Sequence, residues 1–146
     1  MPKYRILTIE ELKHFEKEFI EFLVVNGIEP EKWESLKASN SESVDKIIEL
    51  FSDVILESVL RKIKFIELKS EAYVQAIHCL PDKMISIALQ AGDKNDKGID
   101  KKEMSLYKSE RFYNGSREFD LFEMIERGYV ISNGDLFKKL QLASID

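Results

Sequence analysis

The stretch Ser41–Leu68, SESVDKIIELFSDVILESVLRKIKFIEL, changes its hydrophobic period once, and that change constrains the fold more than any other feature. On a helical wheel of about 100° per residue, Val44, Ile47, Ile48, Leu50, Phe51, Val54, Ile55 and Val59 fall within about half the circumference. Asp45, Lys46, Glu49, Ser52, Asp53 and Glu57 fill most of the other half, which Leu56 and Leu60 interrupt near its end. After Arg61 the period drops to two. Ile63 and Phe65 alternate with Lys62 and Lys64, then Ile66 and Leu68 with Glu67 and Lys69. The apolar face switches between Phe65 and Ile66, as a bulge or a strand covered on both sides would require. A long helix that runs almost directly into a strand needs apolar cover along one side and again at its exit.

The flanking segments supply that cover. Thr8 with Glu11 three residues on reads as a capping box, with Leu7 and Leu12 as a hydrophobic staple. Helix one is expected over Ile9–Val25, with Leu12, Phe15, Phe19, Phe22 and Leu23 as its stripe and Asn26-Gly27 as its stop. Pro30 opens a short helix over Glu31–Lys37, pinned by Trp33 and Leu36. Beyond the long helix, Ala72–Leu80 and Met84–Ala91 read as strands around the turn Leu80-Pro81-Asp82-Lys83. With the strand at Ile63 they form an antiparallel meander. Met104–Lys108 reads as a short fourth strand. Ser116 caps a helix over Arg117–Arg127, and Tyr129–Ile131 is strand-like. Ser132-Asn133-Gly134-Asp135 has the composition of a hairpin turn, before a strand or short helix over Leu136–Leu142. The expected fold is α+β: N-terminal helices packed on a small antiparallel sheet, with a C-terminal helix and hairpin. A chain of 146 residues suits a single domain over 1–146, with a mainly helical part at 1–61, a sheet part at 62–146 and a charged loop at 92–103.

Charge and cysteine content narrow the function. Residues 1–60 carry 7 Lys/Arg against 13 Asp/Glu, whereas residues 61–146 carry 15 against 14. An acidic helical part argues against broad nucleic-acid binding there. Cys79 stands alone, so no intrachain disulfide can form and a reducing, cytoplasmic setting is expected. MPKYRILTIEEL lacks the apolar run of a signal peptide, and no window approaches the ~18 apolar residues of a spanning helix, so no membrane association is expected.

Few residues are spaced for chemistry. Asp93, Asn95 and Gly98 fit positions of a calcium loop, but Lys97 and Met104 stand where oxygen ligands are needed. Glu11 and His14 have the Glu-x-x-His spacing of di-iron bundles without a second copy. His78 and Cys79 are adjacent, and on a strand they point to opposite faces. The six glycines form no phosphate-cradling motif. No catalytic residue, metal or cofactor is therefore expected. A positive-leaning region remains at Tyr107–Lys139. There Arg111, Tyr113, Arg117, Arg127, Tyr129, Lys138 and Lys139 are candidates for contact with a partner or nucleic acid, in a helix-and-hairpin arrangement. Glu118, Asp120, Glu123 and Glu126 deny its helix a clean basic face.

Several stretches carry a family resemblance. Lys3-Tyr4-Arg5, Leu7-Thr8, Glu10-Glu11-Leu12, Glu18-Phe19-Ile20, Phe22-Leu23 and Asn26-Gly27-Ile28 resemble the opening of a family of short uncharacterised proteins from Bacteroidota. Trp33, Leu50-Phe51-Ser52-Asp53, Cys79 and Asp82-Lys83 continue it. Leu121–Glu126, Gly128, Ile131-Ser132, Gly134 and Leu136-Phe137-Lys138 complete it. The resemblance implies a cytoplasmic single-domain protein and brings no catalytic residues, cofactor or partner. The sequence as a whole reads as a non-enzymatic protein-interaction module or assembly subunit, with protein partnership or self-association expected. A nucleic-acid-binding module through the C-terminal segment is the alternative.

Overall fold

Helix α1 starts at the reciprocal cap read from the sequence. In the computed structural model, which describes residues 2–91 and 104–144, Thr8 Oγ1 accepts from the Glu11 N–H at 3.2 Å and Glu11 Oε1 accepts from the Thr8 N–H at 2.9 Å. The helix expected over Ile9–Val25 is two, α1 (Ile9–His14) and α2 (Glu16–Val25), divided at Phe15. Phe15 leaves helical geometry at φ −101°, ψ 25°. It still donates to Glu11 O at 3.0 Å and accepts from the Phe19 N–H at 2.9 Å, so the ladder survives the bend. α3 (Pro30–Ser39) and α4 (Ser41–Lys62) follow.

The chain divides into two compact units, Met1–Val59 and Leu60–Asp146. In the first, Leu7, Phe51 and Ile55 form the buried cluster, with Leu12, Phe15, Phe19, Phe22 and Leu56 packed against it. Phe51 is 1% exposed and meets the rings of Phe19 and Phe22 at 4.9 and 5.4 Å; burial of such a side chain contributes about 1.5–3 kcal/mol. The extended lead-in is fixed by polar residues of α4. Asp53 accepts from the Lys3 and Tyr4 N–H groups, Ser52 Oγ accepts from the Leu7 N–H at 3.0 Å, and Tyr4 donates its hydroxyl to Glu57. Ser52 is thereby wholly buried, while Leu50 and Val54 remain 60% and 53% exposed. The buried arc of α4 is rotated toward the residues that the wheel assigned to its polar half.

The second unit is a five-stranded antiparallel sheet in the order β4-β3-β2-β1-β5. Its strands are β1 (Phe65–Lys69), β2 (Tyr73–Cys79), β3 (Lys83–Gln90), β4 (Ser105–Phe112) and β5 (Val130–Ser132). The α+β class and the meander are as expected. Three local expectations are corrected. Ile63 and Lys64 precede β1 and are not part of it, and β4 runs on to Phe112, past the Lys108 end expected for the short strand at Met104. The turn at Ser132–Asp135 does not close a hairpin, because it leads into helix α6 (Asp135–Ala143) and β5 pairs with β1. The switch at Phe65/Ile66 is not a bulge. β1 keeps unbroken register, from Phe65↔His78 to Lys69↔Val74, between β2 and β5. Both its faces are covered, since Phe65 packs on the α6 side and Ile66 is wholly buried on the other.

α6 covers the first face through Phe137 and Leu140, which join Ala76 and Ile87 in one buried cluster. α5 (Arg117–Glu126), capped by Ser116, follows β4 and contributes the buried Leu121 and Met124. Among the described residues, no helix is long and apolar enough to cross a membrane.

Two predictions follow from these contacts. Gly134 has φ +93°, and a Cβ there would stand 2.6–2.9 Å from the Phe65 ring, which is itself held against His78 and Phe137. Gly134→Ala should cost about 2–5 kcal/mol, combining left-handed strain with overpacking. Gly27→Ala, at φ +74° with nothing within 4 Å, should cost only the strain, about 1–2 kcal/mol. Urea unfolding of both variants checks the difference; equal losses would refute the clash.

The second concerns Glu11, whose carboxyl is held down from 4.5 to about 2, chiefly by the side-chain hydrogen bond from Arg5 and then by the Thr8 N–H. A depressed carboxylate stabilises the fold above its unfolded value, and that contribution disappears as pH falls from about 4.5 toward about 2. Glu11→Gln should therefore be less stable than wild type near neutral pH and converge with it at the acid end. A urea midpoint difference that stays constant across that window would contradict the linkage.

Candidate functional site

Cys79 and His78 end β2 with their side chains on opposite faces of the sheet, as strand alternation requires. Cys79 is 4% exposed, and burial pushes its thiol up to about 11, with Arg117 opposing. His78 stacks on Phe65 at 4.4 Å with planes 16° apart, and the edge of Phe137 stands 5.5 Å away. Its imidazole is pushed below its ordinary value by desolvation. His14 is exposed at the end of α1, 4.9 Å from the Phe15 ring, and the Glu11 carboxylate is held by Arg5 at 2.7 and 2.9 Å. Among the described residues no three His, Cys, Asp or Glu side chains are grouped to hold a metal ion. The calcium-like loop at 93–104 lies outside the described residues except for Met104.

The seven basic and aromatic candidates separate into three groups. Arg117 and Tyr113 are committed internally. The Arg117 guanidinium donates to Leu60 O at 3.1 Å, Leu80 O at 3.3 Å, Cys79 O at 3.2 Å and to Ile63 O. Tyr113 donates to Leu80 O at 2.6 Å, and burial raises its phenol to about 12. Lys138 and Lys139 are exposed on α6, on the Phe65 side of the sheet.

Arg111, Arg127 and Tyr129 come together on the other face. With Gln75, Ile77, Met84, Ser86, Ser109 and Met124 they line a cleft of about 340 Å³. Strand register builds its floor: Ile77, Ser86 and Ser109 form one row across β2, β3 and β4, and Met84 pairs with Arg111 in the neighbouring row on the same face. Met124 and Arg127 come from the end of α5, and Gly128 at φ +115° turns the chain so that Tyr129 returns over the sheet. Tyr129 donates to Gln75 Oε1 at 2.5 Å, and Gln75 Nε2 donates to Ser86 Oγ at 2.7 Å. Burial, and then Tyr73, push the Tyr129 phenol up, so it remains a donor. Sequence patterning missed Gln75, Ser86 and Ser109. Their signal was a polar residue at the same face position on three adjacent strands, which becomes visible only once the register is known.

The first unit has its own concavity. Phe19, Ile20, Leu23, Val24, Ile28 and Trp33 line an apolar groove of about 340 Å³ between α2 and α3, with Glu16, Glu34 and Lys37 among its lining residues. Trp33 sits edge-on to Phe19 at 5.2 Å, while Ile20 and Val24 are 50% and 60% exposed.

A five-stranded antiparallel sheet carrying a polar cleft, and a helical unit carrying an apolar groove, define an α+β protein. The chain belongs to the family described as "Family of unknown function (DUF6495)", whose profile matches residues 1–144. Comparison with curated proteins and with solved structures returned no match.

The burial of Cys79 beneath Arg117 gives a direct test. Native protein at mildly alkaline pH should react with an aromatic disulfide reagent only at the rate of unfolding, because a thiol raised to about 11 supplies little thiolate. Arg117→Met removes a charged donor from four carbonyls and should destabilise by more than about 3 kcal/mol, with faster labelling. Rapid labelling of the native wild type would overturn this description.

Proposed function

We propose that the protein is a non-enzymatic interaction module whose helical unit receives a basic amphipathic helix of a partner protein. The observation that carries this reading is the open α2–α3 groove, where Ile20 and Val24 are at least half exposed beside a floor of Phe19, Leu23 and Trp33. Helix-in-groove recognition uses such a surface, with apolar anchors on one face of the incoming helix. Charge selects the occupant. Residues 1–60 carry 13 acidic against 7 basic side chains, so the helical unit of a second copy would bring like charge to the groove, whereas a Lys/Arg-flanked helix is attracted. The nucleic-acid reading has less support. Its seven candidate residues lie on both faces of the sheet, and Arg117 and Tyr113 spend their donors on backbone carbonyls.

The test is fluorescence anisotropy with a labelled Leu/Lys amphipathic helical peptide, alongside a Leu/Glu peptide of the same pattern and light scattering of the protein alone. Saturable binding of the Leu/Lys peptide is expected, weakened about tenfold or more by Ile20→Glu with Val24→Glu, since burying a charge in an apolar groove is costly. Peptide binding indifferent to these substitutions would refute the groove. A concentration-dependent dimer that the same substitutions dissociate would replace the partner helix with a second copy of the chain.

A further inference from the structure

The cleft on the α5 side of the sheet has among its polar lining side chains two arginines and two serine hydroxyls, above an apolar floor. We infer that it is a binding site for the phosphoryl group of a small phosphorylated molecule, held by Arg111, Arg127, Ser86 and Ser109.

The direction of the hydrogen bonds carries the first part of the argument. Tyr129 gives its proton to Gln75 Oε1, and Gln75 gives an amide proton to Ser86 Oγ. Ser86 accepts within this relay, so its own hydroxyl proton is left to point into the cleft, beside the Ser109 hydroxyl that pairs with it across β3 and β4. Charge carries the second part. Among the described residues, no Asp or Glu lines the cleft. Among the described residues, the Arg111 Nη2 meets the sulfurs of Met84 at 3.9 Å and Met124 at 3.7 Å, which are weak acceptors. Arg127 has only a loose pairing with Glu123 at 3.9 Å, between side chains 74% and 47% exposed. Two guanidiniums, one from β4 and one from the end of α5, therefore face the same space with most of their donors unspent.

An anion is the complement of such a set, and its charge is specified. A phosphomonoester carries about −1.5 to −2 at neutral pH and offers three acceptor oxygens. That matches two arginines and two hydroxyls better than a carboxylate, which has one charge and two oxygens. The cleft volume of about 340 Å³ stands at the lower end of small-molecule sites, about 300–1,000 Å³. Ile77, Met84 and Met124 supply an apolar floor on which the organic part can rest, and thioethers adapt readily to its shape.

The experiment is a titration of the isotope-labelled full chain, read from backbone amide shifts and repeated by calorimetry. The probes are inorganic phosphate, adenosine monophosphate, ribose 5-phosphate, acetate and a short oligothymidylate. Saturable shifts at Ser86, Ser109, Arg111 and Tyr129 are expected with phosphate, with tighter binding of at least one of the two phosphomonoesters and little response to acetate. Arg111→Gln and Arg127→Gln should each weaken binding about tenfold or more, the loss expected for a charge-assisted contact. Ser109→Asp, at an exposed position, should abolish binding without changing the thermal midpoint, which separates loss of the site from loss of the fold. Absence of saturable shifts with phosphate and both monoesters would overturn the inference. So would equal binding of acetate, or binding of the oligonucleotide alone with a steep salt dependence, which would assign the arginines to nucleic acid.

Discussion

One buried guanidinium holds together the end of β2, the end of α4 and the start of α5. The Arg117 side chain is 13% exposed, with the Glu118 carboxylate 3.6 Å away, and its short contacts are to four backbone carbonyls, at Leu60, Ile63, Cys79 and Leu80. These are carbonyls that regular structure leaves over. Leu60 lies in the last turn of α4, where helix acceptors run out, and Cys79 and Leu80 lie where β2 turns into β3. A cation is favoured at a helix C-terminus, and each charge-assisted bond contributes about 1.5–3 kcal/mol. Five N–H donors on a rigid fork can meet several carbonyls at once, which a lysine cannot do. Through this residue the helix–strand transition at Ile63, the β2–β3 turn and the first turn of α5 share one constraint. The Tyr113 hydroxyl on Leu80 O adds the end of β4 to it.

The first unit obeys a different rule, in which backbone satisfaction overrides apolar area. The lead-in from Lys3 to Leu7 presents N–H groups that need acceptors in a packed environment. Ser52 and Asp53 provide them, and Ser52 is pulled to full burial although it belongs to the polar half of the α4 wheel. The cost is visible on the other side of the helix, where Leu50 and Val54 stay largely exposed. A wheel weighs side chains only by hydrophobicity, so it centres the buried arc between Phe51 and Val54. The real arc is centred between Phe51 and Ser52, because an unpaired buried donor costs as much as a methyl or two gains.

The same distinction explains what was legible in advance. The capping box at Thr8, the stop at Gly27 and the end of the helical period after Arg61 are local signals, and the structure follows each of them, with the strand itself starting two residues later than Ile63. β4 was read short because Ser105–Phe112 is an edge strand whose side chains, Leu106 apart, are exposed, so no apolar alternation marks it. The segment after Ser132 carries turn residues that suit either a hairpin or a helix start. The Phe137 and Leu140 pair at helical spacing decides for the helix once Ala76 and Ile87 offer it a surface. Arg117 could be picked out as a basic residue, but its role depends on carbonyls 37 to 57 residues away in sequence. No local pattern encodes that distance.

The α5 side of the sheet shows where these constraints leave room. A sheet face built for stability alone would continue the apolar row of Ile66 and Ile77 across β3 and β4, since each buried methylene adds about 0.8 kcal/mol. Here the row gives way to Gln75, Ser86 and Ser109, followed by Arg111 and Arg127 at the rim. Polar groups in such a place destabilise unless they are paired, and Gln75 is paired on both sides, by Tyr129 and Ser86. The relay therefore orients Tyr129, Gln75 and Ser86, while among the described residues Arg111 and Arg127 at the rim have only weak partners. Pairing beneath keeps this polar interruption compatible with a stable sheet, while the arginines at the rim keep donor capacity that the fold itself does not use.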